Sequence, residues 1–225
     1  VAIIGRPNAG KSSLFNRILG ADRSIVSNIA GTTRDAIDTV VERNGKHYRM
    51  VDTAGIRKKS TVYENIEYYS MVRGLRAIDR ADVVLMMINA FEGITEQDKK
   101  IAGYAHESGK GVVIVVNKWD AVEKDNDSVN EFTKKIYNAL SYMTYAPILF
   151  VSALTGQPLQ KLFEHINYVN GQAKLRISTG MLNDMLGDAT AKVQPPSDKG
   201  KRLKIYYMTQ ASVAPPTFVI FANSI

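Results

Sequence analysis

The chain opens with Val1-Ala2-Ile3-Ile4, followed by Gly5-Arg6-Pro7-Asn8-Ala9-Gly10-Lys11-Ser12-Ser13, which contains Gly-x-x-x-x-Gly-Lys-Ser. No other stretch constrains the fold so narrowly. The apolar run reads as a buried strand, and Leu14-Phe15-Asn16-Arg17-Ile18-Leu19 has helical spacing. Glycines between a strand and a helix let the backbone curl until successive N–H groups converge, forming a concavity for anions at a helix N-terminus. Lys11 adds a point charge for terminal phosphates, and the Ser12 hydroxyl can ligate Mg²⁺. A strand–turn–helix with an incidental lysine has the same local sequence, so the choice rests on residues further along the chain.

Ser27 to Asp38 is polar and turn-rich, with Gly31-Thr32-Thr33-Arg34-Asp35 at its centre. It reads as a solvent loop, or as a segment that becomes ordered when a threonine hydroxyl finds a metal–phosphate cluster. Thr39 to Arg43 and His47 to Val51 flank Asn44-Gly45, a strong hairpin signal. The second strand leads into Asp52-Thr53-Ala54-Gly55. A carboxylate there, beside a phosphate loop, can hold Mg²⁺ through water, and the Gly55 N–H can touch a terminal phosphate. Ile66, Tyr69, Met71, Val72, Leu75 and Ile78 have the spacing of an amphipathic helix.

Val83 to Ile88, Val112 to Val116 and Ile148 to Val151 are continuous apolar runs, as expected for parallel strands covered on both faces. Helical stretches at Glu96 to Ser108 and Ser128 to Leu140 separate them. Alternating units with one early hairpin predict an α/β fold with a doubly wound, mostly parallel sheet. The third run ends in Asn117-Lys118-Trp119-Asp120 and the fourth in Ser152-Ala153-Leu154. Both are strand C-terminal ends, where open α/β sheets bind ligands. Asp120 can accept from the ring N–H and the exocyclic amine of guanine together, a donor pair that adenine lacks. Asn117 can brace the neighbouring loop, the Lys118 stem can lie over the base, and the Ser152-Ala153 turn can offer N–H groups to the keto oxygen.

Composition excludes several classes. The 225 residues include no cysteine, which rules out disulfides and thiolate metal sites and fits a reducing cytosol. His47, His106 and His165 are isolated from one another, unlike a metal-ligand set. The apolar runs are far shorter than the ~20 residues a membrane helix needs. A net charge of +7 is compatible with a polyanionic partner. The chain starts inside a strand and stops in one, at Phe218 to Ile225, so it reads as an excerpt of a longer protein.

With these elements in order, residues 1 to about 170 resemble a translation-type GTPase domain. The Gly5 to Ser12 and Gly31 to Asp35 patterns are similar to the ribosome- and tRNA-related GTPase superfamily. Asp52 to Lys59, Glu92-Gly-Ile-Thr-Glu-Gln-Asp98, Pro195 to Tyr207 and Pro215 to Phe221 resemble the second GTPase domain and the following KH-like domain of the Der (EngA) family. The resemblance covers nearly the whole chain, although Tyr168 to Ala173 looks short for the family. It implies a GTPase domain over 1–171 and an incomplete α+β KH-like domain over 172–225.

The family's activity would be Mg²⁺-dependent hydrolysis of GTP to GDP in the cytoplasm, assisting assembly of the large ribosomal subunit and contacting its rRNA. An upstream GTPase domain would precede this chain. On that reading Lys11 serves the β- and γ-phosphates. Ser12 and a switch threonine, Thr33 for preference, hold Mg²⁺, with Asp52 in its outer shell. Ile56 stands where Ras-like enzymes carry a water-orienting glutamine, so slow basal turnover is expected. Relatives with an asparagine at the Asn8 position use it to bind K⁺ where an arginine finger would otherwise reach.

In the second domain Ile177 to Ala191 reads as a helix, and Leu203 to Gln210 and Thr217 to Phe221 as strands. Lys174, Arg176, Lys192, Lys199, Lys201, Arg202 and Lys204 outnumber Asp184, Asp188 and Asp198, which favours phosphate contact. No Gly-x-x-Gly occurs from Gln172 to Ile225, which argues against sequence-specific RNA clamping by this domain. Two other functions fit parts of the sequence. One is a binding module that holds GTP without turnover, favoured by Ile56. The other is a tRNA-modification GTPase, disfavoured by Pro195 to Tyr207.

Overall fold

The computed structural model describes residues 1–20, 25–30, 37–51, 66–123, 127–153, 159–198 and 201–223. The chain divides into two compact units, Val1–Asn170 and Gly171–Ile225. In the first, β1 (Ala2–Ile4) is followed by α1 (Lys11–Leu19), then by β2 (Ile25–Ala30), β3 (Ile37–Arg43) and β4 (Lys46–Met50). Next come α2 (Ile66–Arg80), β5 (Val83–Asn89), α3 (Glu96–Glu107), β6 (Gly111–Asn117), α4 (Ser128–Ala139) and β7 (Ile148–Phe150). Helix α5 (Leu159–Ala173) comes last, and the division between the units falls in its final turn.

Strands β1, β5, β6 and β7 form a parallel sheet in the order β1-β5-β6-β7. Every residue of β5 and β6 is buried, as their unbroken apolar sequences require. Successive side chains point to opposite faces, and each face has its own cover. Val84, Met86, Ile88, Val112, Ile114 and Val116 pack with Ile78 of α2, Ile101 of α3 and Ile136 of α4. Val83, Leu85, Met87, Val113 and Val115 pack with Leu14, Phe15 and Ile18 of α1 and with Leu162, Phe163 and Ile166 of α5. Layered helices of this kind leave the strand C-terminal ends as the open edge.

The expected hairpin forms between β3 and β4, with Arg43 opposite Lys46. Asn44 and Gly45 both take positive φ, 51° and 71°, the condition for a two-residue turn matched to strand twist. One expectation fails. Residues 27–38 read as a polar loop, yet Ser27 to Ala30 lie in β2, antiparallel to β3 with Ser27 opposite Val40 and Ala30 opposite Ile37. A ladder is made by main-chain groups, so an adjacent strand can recruit a segment whose side chains carry little strand signal. Among the described residues no helix is long and apolar enough to cross a membrane.

The second unit holds α6 (Thr179–Lys192), the short strands β8 (Ser197–Asp198) and β9 (Lys201–Arg202), and a hairpin of β10 (Ile205–Val213) and β11 (Pro216–Ala222). Helix α6 is clipped to β10 by Asn183, whose Nδ2 donates to Met208 O at 3.1 Å while its Oδ1 accepts from Met208 N at 2.9 Å. Gln210, buried on β10, accepts from Ile177 N at 2.7 Å and donates to Leu175 O at 3.2 Å. Both strands begin or end a few residues beyond the apolar runs, because pairing continues wherever backbone groups face each other.

In the first unit, Arg80 at the end of α2 donates from Nη2 to Asp38 Oδ2 of β3 at 2.7 Å. The Asp38 side chain is 3% exposed, so the guanidinium compensates a carboxylate taken out of water. Arg80→Met is expected to cost about 1.5–3 kcal/mol, the range for a hydrogen bond to a charged group, read as a lower urea midpoint at unchanged slope.

Candidate functional site

Between β1 and α1 the backbone makes the turn that Gly-x-x-x-x-Gly-Lys-Ser implies. Gly5 and Gly10 take φ of 143° and 96°, and an added Cβ would stand 2.5 Å from Met87 O and 1.9 Å from Asn117 Nδ2 respectively. Glycine is therefore required twice over, by conformation and by space. Asn8 also takes positive φ, 63°, which asparagine tolerates better than most residues. It is exposed together with Pro7, whereas Ala9 is buried. Helix α1 begins directly after Gly10, with no side-chain cap and no acidic residue in its first turn. Its leading N–H groups and positive dipole end thus face the loop without a competing carboxylate.

Lys11 folds back over this loop. Its Nζ donates to Gly5 O at 2.7 Å and to Arg6 O at 2.6 Å. Burial pushes its ammonium down to about 8, against the opposing pull of the Asp98 carboxylate. Ser12 and Ser13 sit exposed in the first turn of α1. A phosphate entering here meets a cation, a helix N-terminus and hydroxyls together.

Asn117, at the end of β6, joins three of the sequence segments. Its Nδ2 donates to Ala9 O at 3.0 Å, and its Oδ1 accepts from Ala153 N at 3.0 Å. Only 2% of the residue is exposed. Ala9 belongs to the loop after β1, Asn117 to the segment after β6 and Ala153 to the turn after β7, so one amide bridges them all. Lys118 next takes φ of 61° and turns the chain into a single 3-10 turn over Trp119–Ala121. Asp120 is exposed there, and Ser152 is buried beside Ala153.

The Trp119 ring packs with centroids 4.5 Å from Phe150 and 5.6 Å from Phe132, and the main-chain N–H of Trp119 donates to Val151 O at 3.2 Å. Indole and backbone together therefore anchor the segment that presents Asp120. The sequence placed Trp119 in the binding segment but carried no signal for this aromatic anchor, whose partners lie on α4 and β7. Arg6 likewise points to residues far along the chain, Asp98 and Glu92. Thr33, Asp52, Thr53, Ala54, Gly55, Ile56 and Leu154 lie outside the described residues.

Known proteins resolve what this constellation belongs to. Residues 1–118 match the family model described as 50S ribosome-binding GTPase. The chain belongs to that family. Residues 176–225 match the KH-domain-like region found C-terminal in EngA bacterial GTPase enzymes. A GTPase Der of Ruminiclostridium cellulolyticum is 60% identical over 225 residues, covering 100% of this chain and 51% of the relative. The chain spans about half the length of the curated relatives it matches. Among solved structures, Aquifex aeolicus Era bound to GDP·AlF4⁻ is 26% identical with a TM-score of 0.56, covering 98% of this chain and 76% of its own. Era in complex with MgGDPNP and a 16S ribosomal RNA fragment has the same identity, 26%, the same coverage of 98% and 76%, and a TM-score of 0.57. This family has the P-loop GTPase fold, and the parallel sheet with its covering helices is that fold.

The loop geometry has two measurable consequences. Gly10→Ala must displace the Asn117 amide from Ala9 and Ala153, so it should cost about 2–4 kcal/mol in one buried and one part-buried hydrogen bond and abolish measurable GDP binding by calorimetry. The second concerns pH. Free Lys11 is charged below about 8, and a bound phosphate raises its affinity for the proton. Affinity for Mg²⁺-free GDP should therefore be level below that value and fall above it, by up to about tenfold per pH unit, as binding takes up a proton. Lys11→Met should bind weakly with a flat profile over about pH 7 to 9.

Proposed function

We propose that this chain is a guanine-nucleotide switch that binds GTP, hydrolyses it to GDP and phosphate, and acts in maturation of the large ribosomal subunit. The observation that carries the reading is the Asn117 amide, hydrogen-bonded to both Ala9 and Ala153. It ties a phosphate cradle to a base-recognition edge, an arrangement suited to a nucleoside polyphosphate rather than to free phosphate. The family match and the Era structures holding guanine nucleotides support the same class.

Hydrolysis of GTP asks a protein mainly to hold the γ-phosphoryl group and neutralise its charge. Lys11 does so for the β- and γ-phosphates in this proposal. The Gly5 to Ser13 loop wraps the phosphates with main-chain N–H groups of Arg6, Asn8, Ala9, Gly10 and Ser12, while Pro7, which has no N–H, shapes the turn. Asp120 accepts the two guanine donors, the Lys118 stem covers the base, and the Ser152-Ala153-Leu154 turn serves the keto oxygen. After Asp52, the Thr53-Ala54-Gly55 segment meets the terminal phosphate through the Gly55 N–H. Oxygen donors on Ser12 and Asn8 are exposed beside the loop, and such donors suit hard cations. Ser12, Thr33 and the outer-shell Asp52 would hold Mg²⁺, and Asn8 would hold K⁺. Bound cations supply positive charge at the phosphate oxygens. Ile56 offers no group to orient water, so turnover depends on charge rather than on a side-chain base.

The partners proposed are the large ribosomal subunit with its rRNA and an upstream GTPase domain of the same protein, all in the cytoplasm. The family description, which names the 50S ribosome, supports the first of these. The decisive assay is turnover by the 225-residue chain in matched KCl and NaCl, with ATP as control. GTP-specific turnover at least about tenfold faster in KCl is expected, with Asn8→Ala removing the salt difference and Asp120→Ala removing the preference for GTP over ATP. Tight GTP binding without turnover in either salt would favour a binding module. Equal use of ATP would remove the guanine reading.

A further inference from the structure

The loop from Gly5 to Lys11 is held on one side at Ala9, by Asn117. It is also gripped through Arg6. The Arg6 guanidinium donates from Nε to Asp98 Oδ2 at 3.1 Å and reaches Glu92 Oε2 from Nη2 at 2.9 Å. Side-chain exposure is 18% for Arg6 and 1% for Asp98. Away from water, such a charge-assisted bond holds its geometry far better than a surface ion pair does.

Both acceptors are themselves fixed by the fold. Asp98 belongs to the capping box of α3, where its Oδ2 accepts from Thr95 N at 3.0 Å and from Thr95 Oγ1 at 2.8 Å. Thr95 Oγ1 in turn accepts from Asp98 N at 3.4 Å. Glu92 Oε1 accepts from Asn89 Nδ2 at 2.6 Å, while Asn89 Oδ1 accepts from Phe91 N at 3.1 Å. Asn89 is 4% exposed and is the register partner of Asn117 across β5 and β6. Two adjacent strand ends thus carry two asparagines that serve two different grips on one loop.

The cap of α3 does not account for Arg6. Thr95 and Asp98 complete the box between themselves, and an acid in that position needs no arginine. Asp98 Oδ1 is buried with no hydrogen-bond partner among the described residues. A carboxylate so incompletely solvated depends heavily on the cation that does reach it. At the other end of the link, the carbonyl of Arg6 is one of the two oxygens that seat Lys11 Nζ. Fixing the Arg6 side chain therefore fixes the main-chain group that aims the phosphate-binding lysine.

We infer that Asp98 and Glu92 are positioning residues for the phosphate-binding loop, acting through the guanidinium of Arg6. The inference rests on the reading of residues 5–12 as that loop. Without the grip, Gly5 to Pro7 would sample other conformations before nucleotide binds, and binding would have to supply the ordering. The cost appears in nucleotide affinity, beside the stability lost when a buried carboxylate loses its cation.

The test is GDP affinity by calorimetry, with thermal melting in parallel, on the 225-residue chain and its variants. Arg6→Ala and Asp98→Asn should each weaken GDP binding about tenfold, and the double variant should be no weaker than either alone, the signature of one shared contact. Arg6→Lys keeps the charge but cannot reach both carboxylates, and should recover part of the loss. Thr95→Ala should lower the melting temperature while holding GDP affinity within about twofold, because the Thr95 main-chain N–H still donates to Asp98 Oδ2 and keeps that carboxylate in place. Arg6→Ala binding GDP as well as the parent overturns the inference, as does an additive double variant. Thr95→Ala reproducing Asp98→Asn would reduce Asp98 to a helix cap. If Asp98→Asn does not fold, Arg6→Ala and Arg6→Lys decide the matter, since Arg6 is not part of the core. A parent chain that binds no GDP at all overturns the phosphate-loop reading itself, which is a different result from a parent that binds and an Arg6 variant that binds equally well.

Discussion

The side-chain amide of Asn117 fills the space that Gly10 leaves open, donating to Ala9 O and accepting from Ala153 N. A primary amide is the side-chain group that donates and accepts across one short planar unit. Aspartate could take the Ala153 N–H but would present a second acceptor to the Ala9 carbonyl. Leucine could do neither, leaving the Ala9 carbonyl and the Ala153 N–H without this partner at about 1–3 kcal/mol each. The loop after β1, the segment after β6 and the turn after β7 therefore hold a common geometry because one buried side chain is hydrogen-bonded to each neighbour.

That amide is placed by the sheet. Strands β1, β5, β6 and β7 are parallel, so their C-terminal ends and the loops beyond them share one edge. Apolar side chains bury both faces, and this pins strand register, since a one-residue slip would exchange the two faces. With register fixed, Asn89 and Asn117 fall opposite one another at the edge. Helix α1 is held by Leu14, Phe15 and Ile18 against the same sheet, so its N-terminus points at the loop without further adjustment. The polar apparatus is thus a consequence of apolar packing beneath it.

The second unit uses the same chemistry at smaller scale. Asn183 pairs with Met208 through both its amide groups, and Gln210 closes main-chain groups of Leu175 and Ile177. These two amides substitute for ladder bonds where a helix and the segment leading into it, rather than a strand, lie beside β10. Strand β11 is exposed along its length, and Tyr207 and Phe221 stack on one another with centroids 4.2 Å apart. Cross-strand stacking of this kind supports the hairpin register.

By itself the sequence was enough for the elements whose signals are local. The apolar runs became β5, β6 and β7, the Asn44-Gly45 pair became a two-residue hairpin turn, and the glycines of Gly5 to Gly10 became positive-φ positions. Such features depend on neighbours within a few residues, so residue type and spacing carry them. Strand β2 was misread because its pairing comes from β3, not from its own side chains. Only tertiary structure decided which way Arg6 points, since its acceptor Asp98 lies 92 residues away, and the same holds for Arg80 with Asp38. It also decided that the indole of Trp119 packs against Phe132 and Phe150, serving the site from beneath. A hydrogen-bonding or aromatic side chain advertises what it can do, but its partner is chosen by chain packing, where loop-closing entropy and burial are settled together.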